Sequence, residues 1–198
     1  MYERNVAETS GPQHGSVYWN QSAETLLGSL DPLQRLHDQL LPALALSHAP
    51  LWQDSSTTSQ CRTLEAAVGG PQRLADLTGS RAYERFTGPQ IKRLHEEDPE
   101  AYEDCTHISL ISSFVASLFL GKIAPIEIAD ASGMNLMNIE TGTWNDDLLQ
   151  VCGGPTLKSK LGPDPVVGGT NLGTISKWWV SRFGFNEGKC IDIVTLIC

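Results

Sequence analysis

The longest apolar-leaning run in the chain, ISLISSFVASLFL from Ile108 to Leu120, limits what the sequence can build. It is shorter than the roughly 20 apolar residues of a membrane-spanning helix and carries four serines. It therefore suits a packed interior rather than a bilayer. Its opening, Ile108 to Ile111, reads as a strand. Ser113 to Leu120 reads as a helix, with Gly121 as its C-terminal stop. A strand running directly into a helix points to an α/β chain.

Glycine and proline divide the rest into short elements. Leu26, Leu27, Leu30, Leu33, Leu36, Leu40, Leu41 and Leu44 have helical spacing within 21–46, with Asp31-Pro32 as a helix start. Pro50 to Gln53 reads as a short strand. Asp54-Ser55-Ser56 offers an N-cap for a helix through about Val68, closed by Gly69-Gly70. Pro71 to Leu77 forms a helix stopped near Gly79, and Gly88-Pro89 opens another that ends at Asp98-Pro99. Met134 to Ile139 alternates weakly like a strand. Asn145 caps a helix through Val151, and a last helix spans about Thr174 to Phe183. No repeat or low-complexity tract interrupts this series.

With 23 acids against 14 bases and a formal charge of −9, the sequence has no basic block for nucleic acid or anionic membrane. The opening residues MYERNVAETS lack the apolar core of a signal peptide. Five cysteines, Cys61, Cys105, Cys152, Cys190 and Cys198, form no C-x-x-C pair. A reducing, cytosolic setting is expected, without a disulfide framework or zinc site. In such a setting the sequon Asn20-Gln21-Ser22 is accidental.

Four stretches bear chemistry-capable side chains. In GPQHGSVYW, from Gly11 to Trp19, a Gln13-His14 pair lies between glycines ahead of a β-prone run. It reads either as a pair of ligand-binding groups or as a satisfied turn histidine. Glu96, Glu97, Asp98, Glu100, Glu103 and Asp104, flanked by His95 and His107, lack metal-site spacing and read as a solvated helix face. Gly168 to Thr174, GGTNLGT, precedes a predicted helix but lacks the Gly-Lys-Ser/Thr ending of a phosphate loop. Arg81-Ala82-Tyr83-Glu84-Arg85-Phe86-Thr87-Gly88 sets two arginines beside a helix start. It reads either as an Arg fork for hydroxyls or carboxylates or as a surface Arg–Glu pair.

Taken in order, GPQHGSVYW, LWQDSSTTSQCRTLEAAVGG, LTGSRAYERFTGPQI, ISLISSFVASLFLG, DASGMNL and VVGGTNLGTISKWWVSRFGF resemble the FGGY carbohydrate kinases, in particular their animal D-xylulose branch. The resemblance implies a ribonuclease H-like (actin-like ATPase) fold, as an incomplete first FGGY kinase domain. Residues 1–10 are then a divergent lead-in, 11–188 the sugar-binding part of that domain and 189–198 a divergent apolar tail.

It also implies ATP- and Mg²⁺-dependent phosphorylation of D-xylulose at its terminal hydroxyl. His14 and Arg85 correspond to sugar contacts. Glycerol, gluconate or ribulose are the alternative substrates. The family's general-base Asp lies in a G-D-N segment that this sequence does not contain, and Asp192 stands in another context. No catalytic, nucleotide or metal residue is therefore assigned. The expectation is a truncated chain that is inactive alone, binds sugar or associates with an intact kinase, and leaves a sheet edge exposed, with an apolar tail that either fills part of that gap or forms an aggregation-prone strand.

Overall fold

The structure, a computed structural model, describes residues 15–51 and 53–193. His14, the lead-in and the end of the tail lie outside the described residues, as does Trp52. The elements in chain order are β1 (Ser16–Trp19), α1 (Ala23–Gly28), α2 (Leu36–Leu40), α3 (Thr58–Ala67), α4 (Pro71–Thr78), α5 (Thr87–Glu97), α6 (Pro99–Asp104) and β2 (His107–Leu110). Then come α7 (Ile111–Leu120), α8 (Ile128–Ser132), β3 (Met137–Asn138), β4 (Thr143–Trp144), α9 (Asp146–Gly153), α10 (Leu157–Leu161), β5 (Asn171–Thr174), α11 (Lys177–Phe183) and β6 (Cys190–Asp192).

Three antiparallel pairs, β1–β2, β3–β4 and β5–β6, make up the sheet structure among the described residues. In β1–β2, Ser16 sits opposite Leu110 and Trp19 opposite His107. Successive side chains of a strand point to opposite faces, and β1 has a separate core on each. Tyr18 enters the main cluster with Leu64, Ile91, Tyr102, Ile108 and Leu148. Trp19 enters a second cluster with Ala23, Leu27, Leu40 and Leu118, against which Val17 also packs. The Trp19 indole N–H donates to Ser109 Oγ at 2.9 Å, so the buried ring keeps a polar partner.

One side of β1 is covered by the segment that follows α2. Ala45 donates to Tyr18 O at 2.8 Å and Asn20 to Ala43 O at 2.9 Å. Bridges join Trp19 to Leu44 and Gly15 to Leu51. Residues 43–51 thus occupy hydrogen-bonding groups that a bare edge would leave open.

Several expectations are corrected. Among the described residues of Pro50–Gln53, Leu51 forms a single bridge and no strand is present. Asp31 accepts from Leu33 N at 2.9 Å in a turn, and the next helix begins at Leu36. Asp54 accepts from Ser56 N at 2.8 Å upstream of α3, whose N-terminal flanking residue is Thr57. The Met134–Ile139 alternation yields only the two residues of β3. Residues 171–174, taken as the approach to the last helix, form β5 against β6, and the helix begins at Lys177. Ile191 packs beside Ala116, Leu120 and Ala124, and Ile193 is buried.

Candidate functional site

The Arg85 loop connects α4 to α5. α4 ends at Thr78, and Gly79 turns the chain with φ +87°, a left-handed conformation that suits glycine. Ala82 is buried and anchors the middle of the loop, while Arg81 and Arg85 remain exposed. Both guanidinium groups lie over the Tyr83 ring, at 5.1 and 5.2 Å from its centre. Arg85 also lies 5.6 Å from the Phe86 ring, which meets Tyr83 edge-on. These cation–π contacts restrict the long side chains without occupying their N–H groups.

Glu84 does not pair with either arginine. Its side chain accepts from Thr58 Oγ1 at 3.1 Å, and its carbonyl accepts from Thr57 Oγ1 at 2.9 Å. The surface Arg–Glu reading of this loop is thereby replaced by a loop fastened to the start of α3. Among the described residues, neither arginine has a carboxylate partner. A guanidinium with five donors and no counter-ion is suited to hydroxyls or anions arriving from solvent.

The far end of the loop is equally fixed. Gly88 N donates to Met134 O at 2.9 Å. A Cβ at Gly88 would lie 2.5 Å from that same oxygen, so the close approach requires glycine. One turn into α5, the buried Gln90 donates through Nε2 to Leu51 O at 3.0 Å. Leu51 bridges Gly15, which directly follows His14 in the chain, and Gly15 packs against Ile111. Leu51 thus links the start of β1 to the helix that follows Arg85.

The acidic stretch has separate local partners, as a solvated face should. Glu96 pairs with Lys92 at 2.9 Å and accepts from Gln60 at 2.8 Å. Glu97 pairs with Arg93 at 2.8 Å, and Asp98 caps α6 through Ala101 N. No group of three metal-ligating side chains occurs among the described residues.

Nor do residues 168–174 cradle a phosphate. The N–H groups of Gly169, Thr170 and Gly173 are committed to Ile193 O, Val167 O and Asn171 Oδ1. Residues 168–174 therefore do not fit the phosphates of a nucleotide. Asp192 lies on β6, accepting from Asn171 Nδ2 at 3.0 Å. A cleft of about 230 Å³ at the end of α11, lined by Phe183, Gly184, Phe185, Asn186 and Lys189, shares no residue with the Arg85 loop.

Sequence reasoning missed the residues that hold the loop, namely Thr57, Thr58, Met134 and Asn135. The adjacent threonines of DSSTTSQC were a usable signal for a helix start that reaches outward. Nothing around Asn135 indicated its partners, which lie 55 and 57 residues earlier.

The mixed α/β frame thus presents two exposed arginines on an aromatic platform, neither with a carboxylate partner among the described residues. The FGGY family of carbohydrate kinases, N-terminal domain, matches residues 43–195, and the chain belongs to that family. "Xylulose kinase" of Mus musculus is 54% identical over 179 residues, covering 90% of this chain and 32% of that protein. "Probable D-xylulose kinase A" of Aspergillus flavus is 52% identical over 182 residues, again covering 90% and 32%. The chain thus spans about a third of the length of the curated relatives it matches. The crystal structure of gluconate kinase from Lactobacillus acidophilus superposes with a TM-score of 0.71 at 17% identity, covering 93% of this chain and 32% of that one. At that identity the likeness is one of fold, the ribonuclease H-like (actin-like ATPase) fold of these kinases.

Proposed function

We propose that this chain carries a sugar-contacting wall of a kinase that transfers phosphate from ATP to the terminal hydroxyl of D-xylulose, giving xylulose 5-phosphate. The reading is carried by the 54% identity to a xylulose kinase over a span that includes the Arg85 loop. The exposed, unpaired Arg85 guanidinium supports it, because a keto-sugar is a cluster of hydroxyls that directional donors recognise. In this reading Arg85 donates to sugar hydroxyls and His14 supplies a second polar contact. ATP and Mg²⁺ belong to the whole kinase, which works in the cytosol. The 198 residues taken alone bind sugar without phosphorylating it, or do so in association with an intact kinase.

Thermal unfolding of the purified chain with and without D-xylulose tests this. At about 100 times its Kd, a ligand stabilises the folded state by about 2.7 kcal/mol. That corresponds to roughly 5–10 °C in Tm for a chain of this size. Arg85→Ala is expected to abolish the shift, and Arg85→Lys to restore little of it, because an ammonium lacks the planar fork. An unrelated polyol should give no shift. ATP-dependent turnover of D-xylulose by this chain alone would refute the non-catalytic part. The absence of any D-xylulose shift in the wild type would refute the sugar reading.

A further inference from the structure

We infer that Asn135 is a positioning residue for the Arg85 loop, a role that rests on the reading of Arg85 as a sugar contact. Asn135 occupies an unusual state. It is fully buried, and its φ of +56° makes it the one non-glycine residue with positive φ among the described residues. Its Oδ1 has no hydrogen-bond partner among the described residues. Asparagine tolerates the left-handed region better than most residues, but a buried orphan acceptor is rare. Costly local states persist where surrounding contacts over-determine them, and they cluster at functional sites.

The contacts show what this state secures. Asn135 Nδ2 donates towards Thr78 Oγ1 at 3.0 Å, Ser80 O at 3.2 Å and Ser80 Oγ at 3.3 Å. The Thr78 hydroxyl lies 3.0 Å from Ser80 O as well, closing a small polar cluster at the start of the loop. The preceding residue, Met134, accepts from Gly88 N at the loop's other end. Two consecutive residues of one turn therefore hold both ends of the segment that carries Arg81, Tyr83 and Arg85. Glu84 in its middle is held by Thr57 and Thr58.

The left-handed backbone of Asn135 allows its side chain to face Ser80 while the Met134 carbonyl faces Gly88. The loop is thus ordered before any ligand arrives, so binding does not bear the full entropic cost of ordering it.

Two arms read this out. The first is hydrogen–deuterium exchange of the ligand-free full chain, comparing wild type with Asn135→Gly, which keeps the left-handed backbone without strain and removes only the side chain. Amides of residues 80–88 should exchange roughly 3- to 10-fold faster, as loss of one or two hydrogen bonds implies. Those of β1, β2 and α9 should be unchanged. The second arm is D-xylulose affinity by calorimetric titration, expected to weaken roughly tenfold in the variant.

Asn135→Asp, of the same size but without the donating amide, should reproduce both effects, and it is read in place of Asn135→Gly if the glycine variant unfolds. Unchanged exchange at 80–88, acceleration spread over the whole chain, or an unaltered affinity would each overturn the inference. A wild type that binds no D-xylulose refutes the sugar reading instead, while the exchange arm still decides whether Asn135 orders the loop.

Discussion

Arg85 shows how far a residue's role depends on its neighbours. In sequence it stands beside Glu84, and adjacent opposite charges suggest a surface pair. The fold draws Glu84 to Thr57 and Thr58 and leaves Arg85 over Tyr83 and Phe86. Gly88 is as sharply constrained. A Cβ there would meet Met134 O at 2.5 Å and Leu136 Cδ2 at 3.2 Å. Gly88→Ala is expected to destabilise the chain by about 1–3 kcal/mol, as overpacking does, lowering Tm in a thermal melt. Local signals singled out the stretch from Arg81 to Gly88, through its arginines beside aromatic residues and Gly-Pro at a helix start, while the sugar-contact reading of Arg85 came from the family resemblance. Asn135 was invisible because its role lies entirely in contacts to residues far away in the chain.

At the scale of elements, punctuation was the reliable guide. α4, α5, α7 and α9 lie where proline, glycine and Asn145 predicted them, with Asn145 Oδ1 accepting from Leu148 N at 3.1 Å. β5 was missed because Asn-Leu-Gly-Thr has no strand pattern; its partner Cys190–Asp192, rather than its own composition, makes it a strand. α8 and α10 were missed because each spans five residues, too few for periodicity to register.

The approach to α3 carries a pH dependence. Partial burial raises the Asp54 carboxyl pKa, but hydrogen bonds from Ser56 and the Arg93 guanidinium 3.8 Å away outweigh it and lower the pKa overall. A depressed folded-state pKa stabilises above the unfolded value of about 3.9, and this is lost as pH falls through the folded value. Asp54→Asn should therefore lose up to about 1 kcal/mol at pH 6, given the site's partial exposure. In urea titrations the deficit should shrink towards pH 3.

Across the whole molecule, the buried thiols set the alkaline limit. Burial pushes Cys105 and Cys152 from an ordinary 9.0 to about 12, and Cys61 to about 11. Groups whose folded-state pKa is raised contribute fully below the unfolded value, and the contribution is lost as pH rises through the folded value. Stability should therefore decline from about pH 9 upward, by up to about 1.4 kcal/mol per pH unit for each thiol that stays protonated. At pH 7.5 a thiol reagent should label exposed Cys190 in the native chain and reach Cys61, Cys105 and Cys152 only after unfolding, as mass spectrometry would show.

The α/β class was legible from mixed strand and helix signals, and the D-xylulose reading came from the resemblance of the ordered segments; the frame alone does not specify a sugar, since a gluconate kinase shares it at a TM-score of 0.71.

The pairing of β1 with β2 also has a temporal side. Trp19 and its partner Ser109 are 90 residues apart, and a ribosome adds about 5–20 residues per second. Tyr18 and Trp19 therefore emerge roughly 5–20 seconds before their partner strand exists. The Asp31 carbonyl waits longer still for the Trp178 indole, 147 residues downstream. For much of its synthesis the nascent chain carries an unmatched aromatic strand, so its early exposure to chaperones and to other nascent chains is set by the order in which the sequence is translated.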